Sequence, residues 1–150
     1  MKRYISIAAA CGIALFLYGC ASGTTGINPN PEKSLQKTQG EFGRYAKEHS
    51  YPADATKAGK APMRAEVEYG LDVINIVNLS DTDWNNVDVW VNGRYVCPIA
   101  VLPVKQQKGI NFRFFFDKDG IVAPQKGNWI NKLELFKDGS LYELAVHAAD

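Results

Sequence analysis

The sequence predicts an all-β domain, a single antiparallel β-sandwich of about six or seven strands, over residues 66–150. Val, Ile, Leu and aromatic residues dominate from Glu66 onward, without the 3.6-residue period of an amphipathic helix. Two dipeptides, Asn92-Gly93 and Asp138-Gly139, each stand between alternating runs, which is the strongest short-range signal of a β-hairpin. Short strands with frequent turn signals are typical of two packed antiparallel sheets.

The first twenty residues predict the cellular location of the protein rather than its activity. Lys2 and Arg3 precede an apolar run that ends at Leu17-Tyr18-Gly19-Cys20, the layout of a secretory signal peptide over residues 1–19. The run is shorter than the ~20 apolar residues that span a bilayer as a helix. Its closing tetrapeptide resembles the lipobox of bacterial lipoproteins. The resemblance implies cleavage before Cys20 and lipidation of its thiol and new amino terminus, and two or more acyl chains suffice for stable anchoring.

Residues 20–65 are expected to form a lipidated tether, because Gly, Thr, Asn and Pro dominate their beginning and Pro, Ala, Gly and Lys their end. Within them, residues 32–49 carry the pattern of a short helix, since Leu35, Phe42 and Tyr45 fall near one face. The alternative is a tether that is flexible throughout.

The first strand is expected at about Val67 to Leu79, with apolar residues on both faces as in a central strand or a bulge. The hairpin around Asn92-Gly93 follows. A type I′ turn there would place Trp90 opposite Tyr95 on one face and the valines of residues 87–96 on the other, core-facing side.

Three more strands are expected toward the end of the chain, one by itself and two in a hairpin. Alternation from Ile110 to Phe116 predicts a half-buried strand with Phe114 in the core and Phe115 on the opposite face. Counting outward from Asp138-Gly139 pairs Leu135 with Tyr142, and this face agrees with the apolar pattern.

The stretch from Asn78 to Gly93 has the layout Asn-x-Ser-x-x-x-Trp-x-x-Val-x-Val-x-Val-Asn-Gly. The segment Val73–Gly120, which contains this layout, resembles the small immunoglobulin-like modules of uncharacterised bacterial lipoproteins. The Cys–Cys bridge around a Trp, the hallmark of immunoglobulin domains, is absent, so the resemblance concerns architecture.

Charge and cysteine content exclude some functions. The chain has 17 Lys and Arg against 16 Asp and Glu, and loss of Lys2 and Arg3 with a leader brings the net charge near −1. No basic run marks a nucleic-acid site. Cys97 would be the one thiol left after removal of Cys11 and lipidation of Cys20, so stability must come from packing rather than from an internal disulfide.

No catalytic or metal site is expected. Asp117 to Gly120 begins like a calcium loop but lacks the later ligands, and a polar turn is favoured. Cys97 and His147 are a conceivable nucleophile and base, yet nothing in the sequence supplies an orienting group or an oxyanion hole. Two histidines without ligand spacing supply no metal centre, and no cofactor is expected.

Several aromatic residues fall where an outward face is expected. Such a surplus marks an interaction site, a set of cross-strand pairs that stabilise the sheet, or a surface covered by residues 32–49. The residues proposed for a binding surface are Trp84, Trp90, Tyr95 and Phe115.

Together these patterns predict a non-catalytic envelope lipoprotein, anchored in the membrane through Cys20, whose β domain binds a protein or another envelope component. A small-ligand or glycan-binding module is the second hypothesis, and an enzyme relying on Cys97 is the third. Ala21 stands where many lipoproteins retained in the inner membrane carry Asp, which favours the outer membrane, on its periplasmic or surface face.

Overall fold

The computed structural model describes residues 38–148, which contain one helix, a 3₁₀ turn at Phe112–Phe114 and seven strands. The helix, α1, is Gln39–Glu48. The strands are β1 (Thr56–Glu68), β2 (Val73–Asn78), β3 (Trp84–Val91), β4 (Tyr95–Leu102), β5 (Gln107–Asn111), β6 (Leu133–Lys137) and β7 (Ser140–Ala148). The leader, Cys20 and the first part of the expected tether lie outside the described residues.

The strands form one sheet in the order β4-β3-β6-β7-β1-β2-β5. The prediction of a mostly β domain with about seven short strands is confirmed, whereas the described strands do not divide into two antiparallel sheets. β1 runs parallel to β7 and antiparallel to β2, so the sheet is mixed. The sheet is mixed because β1 inserts between β7 and β2, two strands that lie far from each other in the sequence. β1 begins at Thr56, inside the segment that was expected to be a tether.

The sheet curls until its two edges approach each other. The edge strands β4 and β5 follow each other in the chain with residues 103–106 between them, so their joined ends must lie close. Val104 bridges to Asn78 at the end of β2, and Phe116, beyond β5, pairs with Val96 on β4. The inside of the curl holds the core, as direct pairs such as Val89 with Cys97 and Ile74 with Ile110 illustrate.

The first predicted strand is two strands. β1 ends at Glu68 and β2 begins at Val73, and residues 69–72 turn the chain between them. Asp72 occupies the left-handed region at φ 55°, a conformation that Asp tolerates better than β-branched residues do. The apolar pattern of residues 67–79 therefore includes a chain reversal, which the pattern alone does not show.

The Asn92-Gly93 hairpin is present, but its predicted register is wrong by one residue. Both turn residues have positive φ and the Arg94 N–H donates to Val91 O, as a type I′ turn requires. The ladder then skips Arg94, so that Val91 pairs with Tyr95 and Trp90 with Val96. Arg94, outside the ladder, pairs its guanidinium with the buried Asp117. Tyr95 consequently joins the inner face while Trp90 stays on the outer one. Val96, which was predicted to face the core with the other valines, pairs with Trp90 and so lies on the outer face, where it is nevertheless buried.

The predicted strand through Phe116 is also wrong in its second half. β5 ends at Asn111, whose side chain accepts a hydrogen bond from Arg113 N at 3.1 Å and caps the 3₁₀ turn. Phe114 and Phe115 are both buried, because the 3₁₀ turn ends the strand alternation and leaves Arg113 as the exposed residue of this segment, while Phe114 packs toward α1. The last hairpin is confirmed, with Leu135 opposite Tyr142 and Phe136 opposite Leu141.

Helix α1 lies within the range 32–49 expected for a helix. A capping box begins it: Thr38 Oγ1 accepts from Glu41 N at 3.3 Å, and Glu41 Oε2 accepts from Thr38 N at 2.7 Å. Phe42 packs between the rings of Phe114 and Phe116, with ring centroids 5.6 and 6.3 Å away. α1 thereby closes over the irregular segment after β5 and reaches the outer face of β3 and β4.

Candidate binding clefts beside helix α1

The four aromatic residues proposed for an exposed binding surface are all buried, so none of them presents an exposed ring to a partner. Trp84 lies edge-on to Tyr142 with centroids 4.9 Å apart, and Tyr95 lies edge-on to Trp129 at 5.4 Å. Phe115 is fully buried below the 3₁₀ turn. Trp84 reaches the ring of the inner residue Tyr142 because Asn86, at φ 51°, interrupts the alternation of β3.

Trp90 keeps its expected outer position but is only 3% exposed. Tyr51, just beyond α1, lies edge-on to the indole with centroids 5.4 Å apart. The sequence left three interpretations open: a binding site, a stabilising cross-strand pair, or a surface covered by another part of the chain. Trp90 is covered, and the covering residue, Tyr51, comes directly after the helix. The Tyr51 ring also lies at ordinary van der Waals distance, 3.5 Å, from the Cβ position of Gly93.

A first cleft, here called the Trp90 cleft, opens between the end of α1, the β3–β4 turn and the turn after Phe116. Its volume is about 290 Å³. Its floor is aromatic and its rim is charged, and its lining includes His49, Tyr51, Trp90, Arg94, Lys118 and Asp119.

Asp117 holds one wall of the Trp90 cleft together. Its Oδ1 accepts from the backbone N–H groups of Asp119 and Ile121 at 3.0 and 2.9 Å, and its Oδ2 accepts from Arg94 Nη2 at 2.8 Å. Burial alone would raise the pKa of this carboxyl, but the hydrogen bonds from Arg94, Ile121 and Asp119 lower it overall. The carboxylate thus builds the polar turn that the sequence favoured at this position.

A second cleft, here called the Asp88 cleft, lies on the outer face of β3, β4 and β6 on the other side of His49. Its volume is about 490 Å³. Asp88 and Asn86 project from β3, and the cleft extends to the β6–β7 turn at Asp138. Apolar lining comes from Pro98, Ala100 and Phe136.

Tyr45 connects α1 to this cleft, because its hydroxyl donates to Asp88 Oδ1 at 2.6 Å. The Tyr45 ring stacks on His49 with centroids 3.7 Å apart and planes 9° apart, and His49 Nδ1 donates to Tyr45 O at 2.8 Å. Burial raises the pKa of the half-buried Asp88 carboxyl, and the hydrogen bond from Tyr45 only partly offsets this effect. Burial and the bond to Asp88 also raise the pKa of Tyr45.

A second tyrosine–carboxylate pair lies on the same outer face. Tyr51 Oη donates to Glu134 Oε2 at 2.7 Å, and Lys132 Nζ contacts Glu134 Oε1 at 2.7 Å. Each oxygen of Glu134 therefore has a partner. Burial and then the hydrogen bond to Glu134 raise the pKa of Tyr51.

Cys97 and His147 are not brought together. Cys97 faces the inside of the curl opposite Val89, whereas His147 pairs with the exposed Glu66 on the outside of β7. Within residues 38–148, no three His, Cys, Asp or Glu side chains form a group that could hold a metal ion. No helix in that range is both long and apolar enough to cross a membrane.

Sequence reasoning did not identify Tyr45, Tyr51, Asp88 or Glu134 as site residues. Polar residues alternating with valine or leucine indicate a solvent face, and this pattern made Asp88 and Glu134 look ordinary. The partners lie 43 and 83 residues away in the chain, so no local spacing indicates either pair. No protein-family model, curated protein or solved structure matches this chain.

Proposed function

We propose that this protein is a lipid-anchored, non-catalytic binding module of the bacterial cell envelope, which holds an envelope protein or another envelope component in the Trp90 cleft. The anchor would be Cys20, and the outer membrane is the favoured location. The observation that carries the binding proposal is the composition of the cleft, an aromatic floor with a charged rim.

The floor supplies apolar contact and the rim supplies specificity. Tyr51 presents a partly exposed, rigid ring, held from behind by the covered Trp90. Such rings dominate binding energy at interfaces because they bury a large area for little lost entropy. Lys118 and Asp119 are exposed at the edge, where opposite charges orient a partner more than they add affinity. A cleft of this kind suits a projecting side chain or a short segment of a partner.

The absence of catalysis is supported by the distribution of reactive groups. The thiol of Cys97 is fully buried in the core and lies on the opposite side of the sheet from His147. Asp117, the one carboxylate with a lowered pKa that lines the Trp90 cleft, is occupied by backbone donors and by Arg94. Neither group is poised to transfer a proton to a bound molecule.

The anchor is tested by Cys20→Ser, because both lipidation and cleavage of a lipobox depend on the thiol. We expect the variant to leave the membrane fraction or to accumulate as uncleaved precursor. A cleaved variant that still partitions into the detergent phase like the wild type would contradict a lipid anchor.

The binding cleft is tested by Lys118→Glu with Lys126→Glu as its matched control. Both lysines are exposed, and Lys126 lies outside the Trp90 cleft. We expect Lys118→Glu to lose components that co-purify with the wild-type protein from detergent-solubilised membranes, and Lys126→Glu to retain them. The same components with all three proteins would argue against the Trp90 cleft.

A glycan or small ligand in the same cleft is the second candidate, favoured by its aromatic floor and modest volume. Sugar rings pack on aromatic faces, and a volume of about 300 Å³ is at the lower end for small-molecule sites. Tryptophan fluorescence of the wild-type chain, titrated with envelope glycans, distinguishes this candidate. A saturable change that is lost in Lys118→Glu would favour it.

A further inference from the structure

The two tyrosine–carboxylate pairs on the outer face differ in one respect, the presence of a cation. Glu134 is only 3% exposed and has Lys132 at 2.7 Å. Asp88 is half-buried, and no Lys, Arg or His of residues 38–148 lies within 4.0 Å of its carboxylate. Its one described hydrogen-bond donor is the Tyr45 hydroxyl.

A partly buried carboxylate in this position has one described hydrogen-bond donor and no described cation in contact to offset the cost of its desolvation. Buried or half-buried charges in proteins are ordinarily paired, because removal of a charge from water costs more than a single neutral hydrogen bond returns. Lys137, which also lines the Asp88 cleft, directs its ammonium to Asp138 and to the Trp84 ring instead. His49 attracts the Asp88 carboxylate from beyond ion-pair distance. The protein therefore places a negative charge in an open cleft where no described cationic side chain contacts it.

The walls of the cleft indicate what kind of cation fits. The stacked rings of Tyr45 and His49 lie on one side and the Phe136 ring on another, and Pro98 and Ala100 add aliphatic surface. Aromatic faces attract cations, and apolar walls accept the methylene chain that carries an organic one. One carboxylate is too few for a divalent metal ion, which takes six or more oxygen ligands.

The state of the carboxylate distinguishes an ammonium from a guanidinium. A guanidinium binds best through two parallel hydrogen bonds to both oxygens of a carboxylate. Oδ1 of Asp88 already accepts from Tyr45 at 2.6 Å, so a single-point donor suits the remaining oxygen better.

We propose that the Asp88 cleft binds a primary ammonium group carried on an alkyl chain, with Asp88 as its counterion and Tyr45, His49 and Phe136 around it. The site is distinct from the Trp90 cleft and does not depend on the function proposed there. A lysine side chain of a polypeptide and a free alkylamine share this chemistry.

The test is calorimetric titration of the full chain, in a non-ionic detergent, with Nα-acetyl-lysine N-methylamide. The norleucine counterpart has a similar side chain without the charge and serves as the ligand control. We expect saturable binding of the lysine derivative and none of the norleucine derivative at the same concentrations. No binding of either, or equal binding of both, would overturn the proposal.

Asp88→Asn removes the charge and keeps an oxygen that can accept from Tyr45, so the domain should remain folded. We expect its affinity for the lysine derivative to fall about tenfold or more, as loss of a charge-assisted hydrogen bond implies. Glu134→Gln is the matched control, since it neutralises the other tyrosine-bonded carboxylate, and its affinity should equal that of wild type. Wild-type affinity in Asp88→Asn would overturn the proposal.

Two further measurements complete the test. In nuclear magnetic resonance spectra of the wild-type chain, the ligand should shift signals of Phe136, which lines only the Asp88 cleft, and leave Tyr51, which lines only the Trp90 cleft, unchanged. Shifts that avoid the Asp88 cleft would overturn the proposal even if Asp88→Asn failed to fold. Titration with n-butylammonium separates the two sources. Tighter binding of the lysine derivative identifies a polypeptide ligand, and equal binding of both identifies a free alkylamine.

Discussion

Two aspartates stand on either side of the end of helix α1, and their surroundings are opposite. Asp117, in the wall of the Trp90 cleft, accepts from two backbone N–H groups and from Arg94. Asp88, in the neighbouring cleft, accepts from one tyrosine hydroxyl. The pKa of the Asp117 carboxyl is lowered and that of the Asp88 carboxyl is raised. The number of donors that reach a carboxylate, rather than its residue type, decides whether it supports the fold or remains available to a ligand.

The largest expected effect comes from removal of the Asp117 carboxylate. Asp117→Ala leaves the N–H groups of Asp119 and Ile121 without acceptors, and the cost should be about 2–4 kcal/mol in the free energy of unfolding. Asp88→Asn should change that free energy by less than about 1 kcal/mol, because it removes a poorly compensated charge and keeps the acceptor for Tyr45. Urea denaturation of the full chain measures both. Equal destabilisation by the two variants would show that Asp117 does not support the fold more than Asp88 does.

The next effect concerns the backbone of the Asp117 turn. Gly120 has φ 75°, and a Cβ on it would lie 2.8 Å from Lys47 Cε of helix α1. Gly120→Ala should therefore cost about 1–2 kcal/mol through backbone strain and displacement of the lysine. Gly127→Ala serves as the control, since Gly127 also has positive φ but no atom lies within 4 Å of its Cβ position. The difference between the two variants in urea denaturation isolates the packing of α1 against the turn, and no difference would mean that this contact contributes nothing.

The two tyrosine hydroxyls sharpen the contrast between a compensated and an uncompensated carboxylate. Tyr51→Phe removes a donor from Glu134, which is buried, and should cost about 1–2 kcal/mol. Tyr45→Phe removes a donor from Asp88, which water can reach through its open cleft, and should cost about 0.5–1 kcal/mol. Thermal unfolding ranks the two variants, and the reverse order would show that Asp88 is the less solvated carboxylate.

The smallest effects are the pH dependences, which must have opposite signs. A lowered pKa at Asp117 contributes stability above the ordinary range of aspartate, and this contribution is lost as the pH falls through the folded-state pKa. A raised pKa at Asp88 favours the folded state at acid pH, and this contribution is lost as the pH rises through the folded-state pKa.

Urea denaturation between about pH 3 and pH 7 tests these signs against the ordinary aspartate pKa. The stability of Asp88→Asn relative to wild type should rise with pH, whereas that of Asp117→Asn should fall. Parallel curves for the two variants would contradict the opposite surroundings of these carboxyls.

The sequence alone determined the features that neighbours along the chain decide. The Asp138-Gly139 turn and the alternation beside it placed Leu135 opposite Tyr142, as the structure has it. The two-residue period also placed Val87, Val89 and Val91 in the core correctly, because side chains alternate sides regardless of the partner strand. Lipidation of Cys20 stays a prediction, since it concerns residues outside those described.

Tertiary structure decided what depends on distant partners. The pairing of Arg94 with Asp117, 23 residues away, coincides with the one-residue slip that sends Tyr95 inward. The 3₁₀ turn after β5 ended the alternation of a half-buried strand and left Phe115 buried rather than on a solvent face. The Asp88 cleft exists because Tyr45 reaches Asp88 across 43 residues. Local periodicity specifies which way a side chain points on its own strand, but only the packed chain specifies what meets it there.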